Sequence, residues 1–224
     1  RQANKEIAQH SLRFFKTGKG EYGYGDLFLG VKVPKIRSIA KKHTDISIMD
    51  MKKLISSKYH EERLLGLIIL VNKYSKNKDK KTRNQLYKIY VSSFKYINNW
   101  DLVDVTCPHV IGKHLVDKDR SNLYSWAKSD DLWTRRIAMI STFWFIRKND
   151  LDDTFKIAEI LLHDTHDLIH KAVGWMLREA GKRDIEKEED FLKKHYGTMP
   201  RTMLRYAIER FPEPKRQKYL KGTI

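Results

Sequence analysis

The sequence predicts an all-α protein, a helical-repeat solenoid (an α-α superhelix) with a concave basic face. Three observations lead there. Apolar residues recur at helical spacing almost from end to end, and no stretch alternates as a strand does. Five segments resemble one another: 61–70, 99–108, 134–143, 170–179 and 203–212. Aligned on Gly66, Asp104, Ala138, Gly174 and Ala207, they recur at steps of 38, 34, 36 and 33 residues, the range in which stacked helical hairpins repeat. Finally, 11 Gly and 5 Pro in 224 residues are too few for a turn-rich β protein. With 41% hydrophobic residues the chain can bury a core unaided. One domain spanning 1–224 is expected.

The elements follow in order. A first helix over 3–16 is amphipathic through Ile7, Leu12, Phe14 and Phe15. Residues 17–25 (TGKGEYGYG) lack the GK[ST] ending of a phosphate loop and read as a flexible connection. Helices are predicted over 35–43, behind Pro34, and over 50–57. The next, 60–75, carries the longest apolar run, Leu64 to Val71. A basic turn, Lys76 to Arg83, leads into 80–96; it serves equally as a solvated turn or as a phosphate contact. Then come 100–106, 108–116 behind Pro108, and 120–128. Asp130-Asp131 caps 131–146, a helix over 152–163 follows, and Asp164-Thr165 caps 166–181, which Gly181 closes. The last three are 184–195, 200–210 and 213–221, with Pro200 and Pro212 at helix starts.

Composition narrows the function. Forty-five Lys and Arg against 28 Asp and Glu give a net charge of +17 and a pI near 9.8. Such self-repulsion adds nothing to stability and points to a polyanionic partner, nucleic acid first. A Lys-rich composition inherited from an AT-rich genome is the alternative. One cysteine, Cys107, excludes an intramolecular disulfide, and a cytoplasmic location is expected, nucleoid-associated when the protein is bound to DNA. No run reaches the roughly 18 apolar residues of a membrane span, and the N-terminus shows no signal-peptide core. The chain begins with Arg1 rather than Met, so a trimmed start is expected.

Several clusters have the residue types for chemistry. In Trp100-Asp101-Leu102-Val103-Asp104, Trp100 and Asp104 stand at i and i+4 on one helix face. A carboxylate beside an aromatic plane stabilises a developing cation; alternatively, Trp100 is a core anchor and Asp104 a cap. In Leu132-Trp133-Thr134-Arg135-Arg136, one arginine is placed to face inward toward a phosphate; the alternative is a pair of surface ion-pair residues. Trp175, beside Gly174, either lines the concave face or fills the core. His163, His166 and His170 lack a third ligand group of metal-site spacing, and Cys107 with His109 or His114 has no orienting acid. Neither a metal nor a cofactor is expected.

At these residues the chain resembles the AlkD-type alkylpurine DNA glycosylases, which are built from HEAT-like repeats. The similarity runs through 26–43, WDLVD (100–104), LWTRR (132–136), HKAVGWMLREAGKRD (170–184) and MPRTMLRYAIERF (199–211). The resemblance implies a HEAT-like fold and a monofunctional glycosylase that hydrolyses the N-glycosidic bond of 3-alkyladenine or 7-alkylguanine in duplex DNA. It implies Asp104 as the catalytic carboxylate, Trp100 and Trp175 as aromatic walls, and Arg136 on a phosphate near the lesion. Arg135, Lys171 and Arg178 are further candidate DNA contacts, and Tyr22 or Tyr24 the N-terminal aromatic contact. The expected partner is alkylated duplex DNA, bound by a monomer. The alternatives are a non-catalytic nucleic-acid-binding module and a scaffold that grips an acidic peptide.

Overall fold

A computed structural model describes residues 3–224. Among them there is no strand; one isolated parallel bridge pairs Leu27 with Tyr59. The chain divides into two compact units, 1–114 and 115–224.

The first unit holds α1 (Lys5–Phe14), α2 (Val33–Lys42), α3 (Ile48–Ile55), α4 (His60–Lys76), α5 (Lys80–Ser92) and α6 (Trp100–Asp104). Helix α4 is central: α2, α3 and α5 all pack on it. Its run Leu64, Leu67, Ile68, Ile69 and Leu70 is buried on nearly every side, which explains its weak amphipathicity. Gly66 lets α3 approach, because a Cβ there would sit 2.8 Å from the Ile55 backbone nitrogen. Caps match chemistry at the starts: Asn4 accepts from the Ile7 N–H, Ser47 from Asp50 and Asp79 from Thr82. Helix α1 buries none of its residues fully, and Phe14 is 55% exposed.

A short helix, α7 (Lys113–Leu115), marks the boundary. The second unit then comprises α8 (Ser121–Trp126), α9 (Leu132–Ser141), α10 (Phe143–Ile146), α11 (Asp152–Ile160), α12 (Asp167–Gly181), α13 (Ile185–His195), α14 (Arg201–Ala207) and α15 (Glu213–Lys221). Helix α12 is its hub, packed by α9, α11, α13 and α14. Gly174 brings α14 close; a Cβ would strike the Met203 carbonyl and the Tyr206 Cβ.

The structure departs from the sequence reading at several points. The segment 80–96 is α5 plus a 3-10 turn at Phe94–Tyr96, and 131–146 is broken at Thr142 into α9 and α10. Residues 108–116 start as a π-helical turn, Pro108–Gly112. The glycine-rich segment is not a loose connection: Gly23 is buried, its N–H donates to the Lys16 carbonyl, and a Cβ would collide with the Phe15 carbonyl. Gly20 and Gly25 supply the left-handed backbone of its turns, with φ of +84° and +87°. The cap of α12 is His166, whose Nδ1 accepts from the Leu168 N–H, while Asp164 accepts from His166. Gly181 is the last residue inside α12, not a left-handed terminator. Its missing Cβ makes room for the Glu188 carboxyl group.

That carboxyl group is 1% exposed and its Oε1 has no hydrogen-bond partner. Burial, then the neighbouring Glu189 charge, pushes Glu188 up to about 8 against the opposing pull of Arg178. Folded Glu188 therefore keeps a proton that the unfolded chain releases near 4.5, and stability falls as pH rises between those values. Glu188→Gln should flatten that fall and raise Tm at pH 8, as read by thermal melts across the window. Gly174→Ala gains helix propensity of about 1 kcal/mol, but the collision with Met203 should outweigh it by roughly 1–3 kcal/mol. A lowered Tm in circular-dichroism melts is the expected result.

Candidate functional site

Helix α6 carries the sharpest motif, and its placement is set by buried charge. Its N-cap Asn99 accepts from the Trp100 N–H at 2.9 Å. One residue on, Asp101 turns inward to the first residue of α4, and its Oδ2 lies 2.8 Å from His60 Nε2. The other ring nitrogen, Nδ1, lies 3.1 Å from Asp26 Oδ2. Ionised carboxylates only accept, so both ring nitrogens must donate and the ring is an imidazolium. Asp26 Oδ1 also accepts from Arg63 Nη2 at 2.6 Å and from Asn98 Nδ2 at 2.8 Å. Two cations and two carboxylates thus balance in a pocket where His60, Arg63, Asp26 and Asp101 are all under 9% exposed.

The electrostatics agree with that reading. Burial works against a charged His60, but the hydrogen bonds and charges of Asp101 and Asp26 outweigh it and raise the ring to about 9. Burial raises Asp26, yet His60, Arg63 and Asn98 together hold it below its ordinary value. Next to the ion cluster, Glu61 accepts from the N–H groups of Leu29, Gly30 and Val31 at 2.9, 2.8 and 3.2 Å, fixing the turn that enters α2.

Aromatic rings cover the cluster. Phe28 stacks on His60 at 4.7 Å and Phe15 lies 4.9 Å from the same ring, so the imidazolium has two π faces beside it. Phe15 is also 5.6 Å from the Trp100 ring, and Phe14 meets Trp100 edge-on at 5.9 Å. Trp100 itself is half-buried.

Asp104 ends α6 one turn after Trp100, roughly 40° from it around the helix and roughly 60° from Asp101, and so lies between the two. It is half-buried, and its charge helps burial and Cys107 to raise the hydroxyl of Tyr90. That hydroxyl is bonded to Thr106 Oγ1 at 2.6 Å. Of the N-terminal tyrosines, Tyr22 is half-buried in the glycine-rich turns and Tyr24 is 66% exposed. The sequence reading gave no part in a functional site to His60, Asp26, Phe15 or Phe28. Asp26 and Asp101 lie 34 and 41 residues from His60, and no local spacing joins them.

The second unit holds the other candidates. Arg136 is 5% exposed on α9, and its Nη1 donates to the Leu168 carbonyl in the first turn of α12. Arg135 makes an ion pair with Asp164 at 2.6 Å and donates to the Ser129 and Asp130 carbonyls at 2.9 Å. Trp175 is half-buried, with its ring 6.1 Å from Phe143. Lys171 pairs with Asp167 at 2.7 Å, and Arg178 with Glu209 and Glu179. His166 and His170 are engaged locally, His170 Nε2 donating to the Asp164 carbonyl.

The His60 cluster makes a testable demand. Its folded ring holds a proton up to about pH 9, whereas a free imidazole releases it near 6.5. The stabilisation is therefore complete below about pH 6.5 and fades as pH climbs to 9. In His60→Gln, two buried aspartates lose the cation they share and Asp26 keeps only Arg63, a loss of roughly 3–5 kcal/mol. Tm should drop at pH 6 and lose its slope between pH 6.5 and 9; a wild-type-like melt at pH 6 would refute the imidazolium assignment.

No curated protein matches the sequence significantly. Among solved structures, a predicted DNA alkylation repair enzyme from Enterococcus faecalis shares the fold at 15% identity and a TM-score of 0.72, covering 95% of this chain and 98% of the other. AlkD2 from Streptococcus mutans is similar at 14% identity and a TM-score of 0.58, over 91% and 98% of the two chains. The family model described as DNA alkylation repair enzyme matches residues 1–211, and the chain belongs to that family.

Proposed function

We propose that the protein is a monofunctional DNA glycosylase that releases cationic alkylated purines, 3-alkyladenine and 7-alkylguanine, from duplex DNA. The observation that carries this reading is helix α6. Its orientation is pinned by the Asp101–His60 bond, and Trp100 and Asp104, at i and i+4, share the adjoining side. A base alkylated at N3 or N7 already carries positive charge, so it departs without a general acid. Positive charge then develops on the deoxyribose ring. Asp104 would stabilise it and orient the attacking water, with the indole π face of Trp100 beside the sugar. A carboxylate held by a fixed helix needs little reorganisation as that charge appears.

The exposed ring of Phe14, edge-on to Trp100, suits the N-terminal aromatic contact better than Tyr24, for which no contact with Trp100 is found. In the second unit, Arg136 and Trp175 are the proposed phosphate and sugar contacts. Arg135 and Arg178, already paired with carboxylates, and Lys171 would contribute positive field more than direct bonds. Selectivity would come from the weak glycosidic bond of a cationic base, not from a pocket that reads a flipped base.

Incubation with N-methylated duplex DNA tests the reading by release of free 3-methyladenine or 7-methylguanine. Asp104→Asn should lower single-turnover release by roughly 10²–10³ while the melting curve stays close to wild type. Release by Asp104→Asn at the wild-type rate would remove Asp104 from the chemistry. Duplex binding without any release would identify a non-catalytic DNA-binding module. Neutral hypoxanthine should be released far more slowly than 7-methylguanine.

A further inference from the structure

The first unit has a positively charged surface that the α6 site does not use. Between α3 and α5 lies a groove of about 640 Å³. Lys52 comes from α3, and Lys81, Asn84, Gln85 and Lys88 from α5. On α5 those four residues fall within an arc of about 100° at 100° per residue. Tyr90 lies on the opposite side of the same helix, fully buried, with its hydroxyl on Thr106. The groove therefore faces away from the side of α5 that meets the α6 segment.

Its charge is unbalanced. No carboxylate lines the groove, and among the described residues Lys52, Lys81 and Lys88 make no ion pair. The adjacent Lys53, by contrast, is paired with Asp50 at 3.3 Å. Several exposed lysines elsewhere do pair: Lys171 with Asp167, Lys182 with Glu179, Lys187 with Asp152 and Lys194 with Glu159. An ordinary solvated face mixes both signs. Three ammonium groups lining one groove without a carboxylate repel one another and are relieved by a polyanion. The side-chain amides of Asn84 and Gln85 add neutral hydrogen-bonding groups of the kind that meet phosphate and sugar oxygens.

We infer that this groove is a second DNA contact, which takes the phosphodiester backbone of duplex without reading its sequence. The inference rests on DNA being the partner but not on Trp100 or Asp104 taking part in chemistry. Its occupant follows from charge complementarity and from the family's action on DNA.

The test compares two triple variants of the full chain. Lys52→Gln/Lys81→Gln/Lys88→Gln neutralises the groove. Lys187→Gln/Lys193→Gln/Lys194→Gln removes the same net charge from α13. Each is titrated with an undamaged duplex over a range of salt. Loss of three phosphate contacts should make the slope of log K against log salt shallower by about 2.7 in the groove variant, and clearly less in the α13 variant. Acetylation footprinting of wild type should also show Lys52, Lys81 and Lys88 protected by duplex. Equal slopes for both variants, or no protection, would overturn the assignment. So would a groove variant that keeps duplex binding but loses poly-glutamate, since the groove would then hold an acidic protein segment. Base release by wild type and by Asp104→Asn is scored separately, so a failed glycosylase reading leaves this result interpretable.

Discussion

A protonated histidine shared by two buried aspartates organises the first unit. His60 opens α4, Asp26 ends the glycine-rich turns and Asp101 sits in the first turn of α6. Each carboxylate alone would be strongly disfavoured at this depth, and the ring alone would lose its proton. Together with Arg63 they neutralise one another. The cost of separating them makes three distant segments a single object. Because Asp101 is fixed, the orientation of α6 is fixed, and with it the side of the helix that presents Trp100 and Asp104. The rings of Phe15 and Phe28 keep water from the imidazolium, which strengthens every charge–charge term beneath them.

The second unit relies less on ion clusters and more on close helix approach. Gly174 and Gly181 on α12 leave space that α14 and the Glu188 carboxyl group occupy. Arg136 ties α9 to α12 by donating to a backbone carbonyl, and Arg120 bridges Asp150 and Asp153 at 2.7 and 2.5 Å while lying over the Phe145 ring. Glu188 is the exception: a buried acid without a full set of partners, which stays protonated where an exposed glutamate would be ionised.

The positive charge of the chain is not spread evenly in its effect. Many cations are spent on internal work, as Arg63, Arg120 and Arg135 are on buried or half-buried carboxylates. Others pair along helix surfaces. Many lysines remain exposed for a polyanion, and the groove between α3 and α5 gathers three of them with no carboxylate in its lining. Net charge therefore says that a polyanion is favoured, while the local arrangement of charge says where.

Sequence alone determined the helical class, most helix positions and the motif WDLVD, because these depend on local periodicity, capping and i to i+4 spacing. It also aligned Gly66 and Gly174 as equivalent positions of the repeat, both of which the structure uses for close helix approach. It misjudged Gly23 and Gly181, whose need for glycine arises from the Phe15 carbonyl and the Glu188 carboxyl group, neither of which local propensity reveals. Only the tertiary structure decided that Arg135 belongs to Asp164, that Phe14 and Phe15 lie beside Trp100, and that His60 is charged. Those outcomes depend on burial and on partners tens of residues away, and a protonation state is a property of the surroundings, not of the residue.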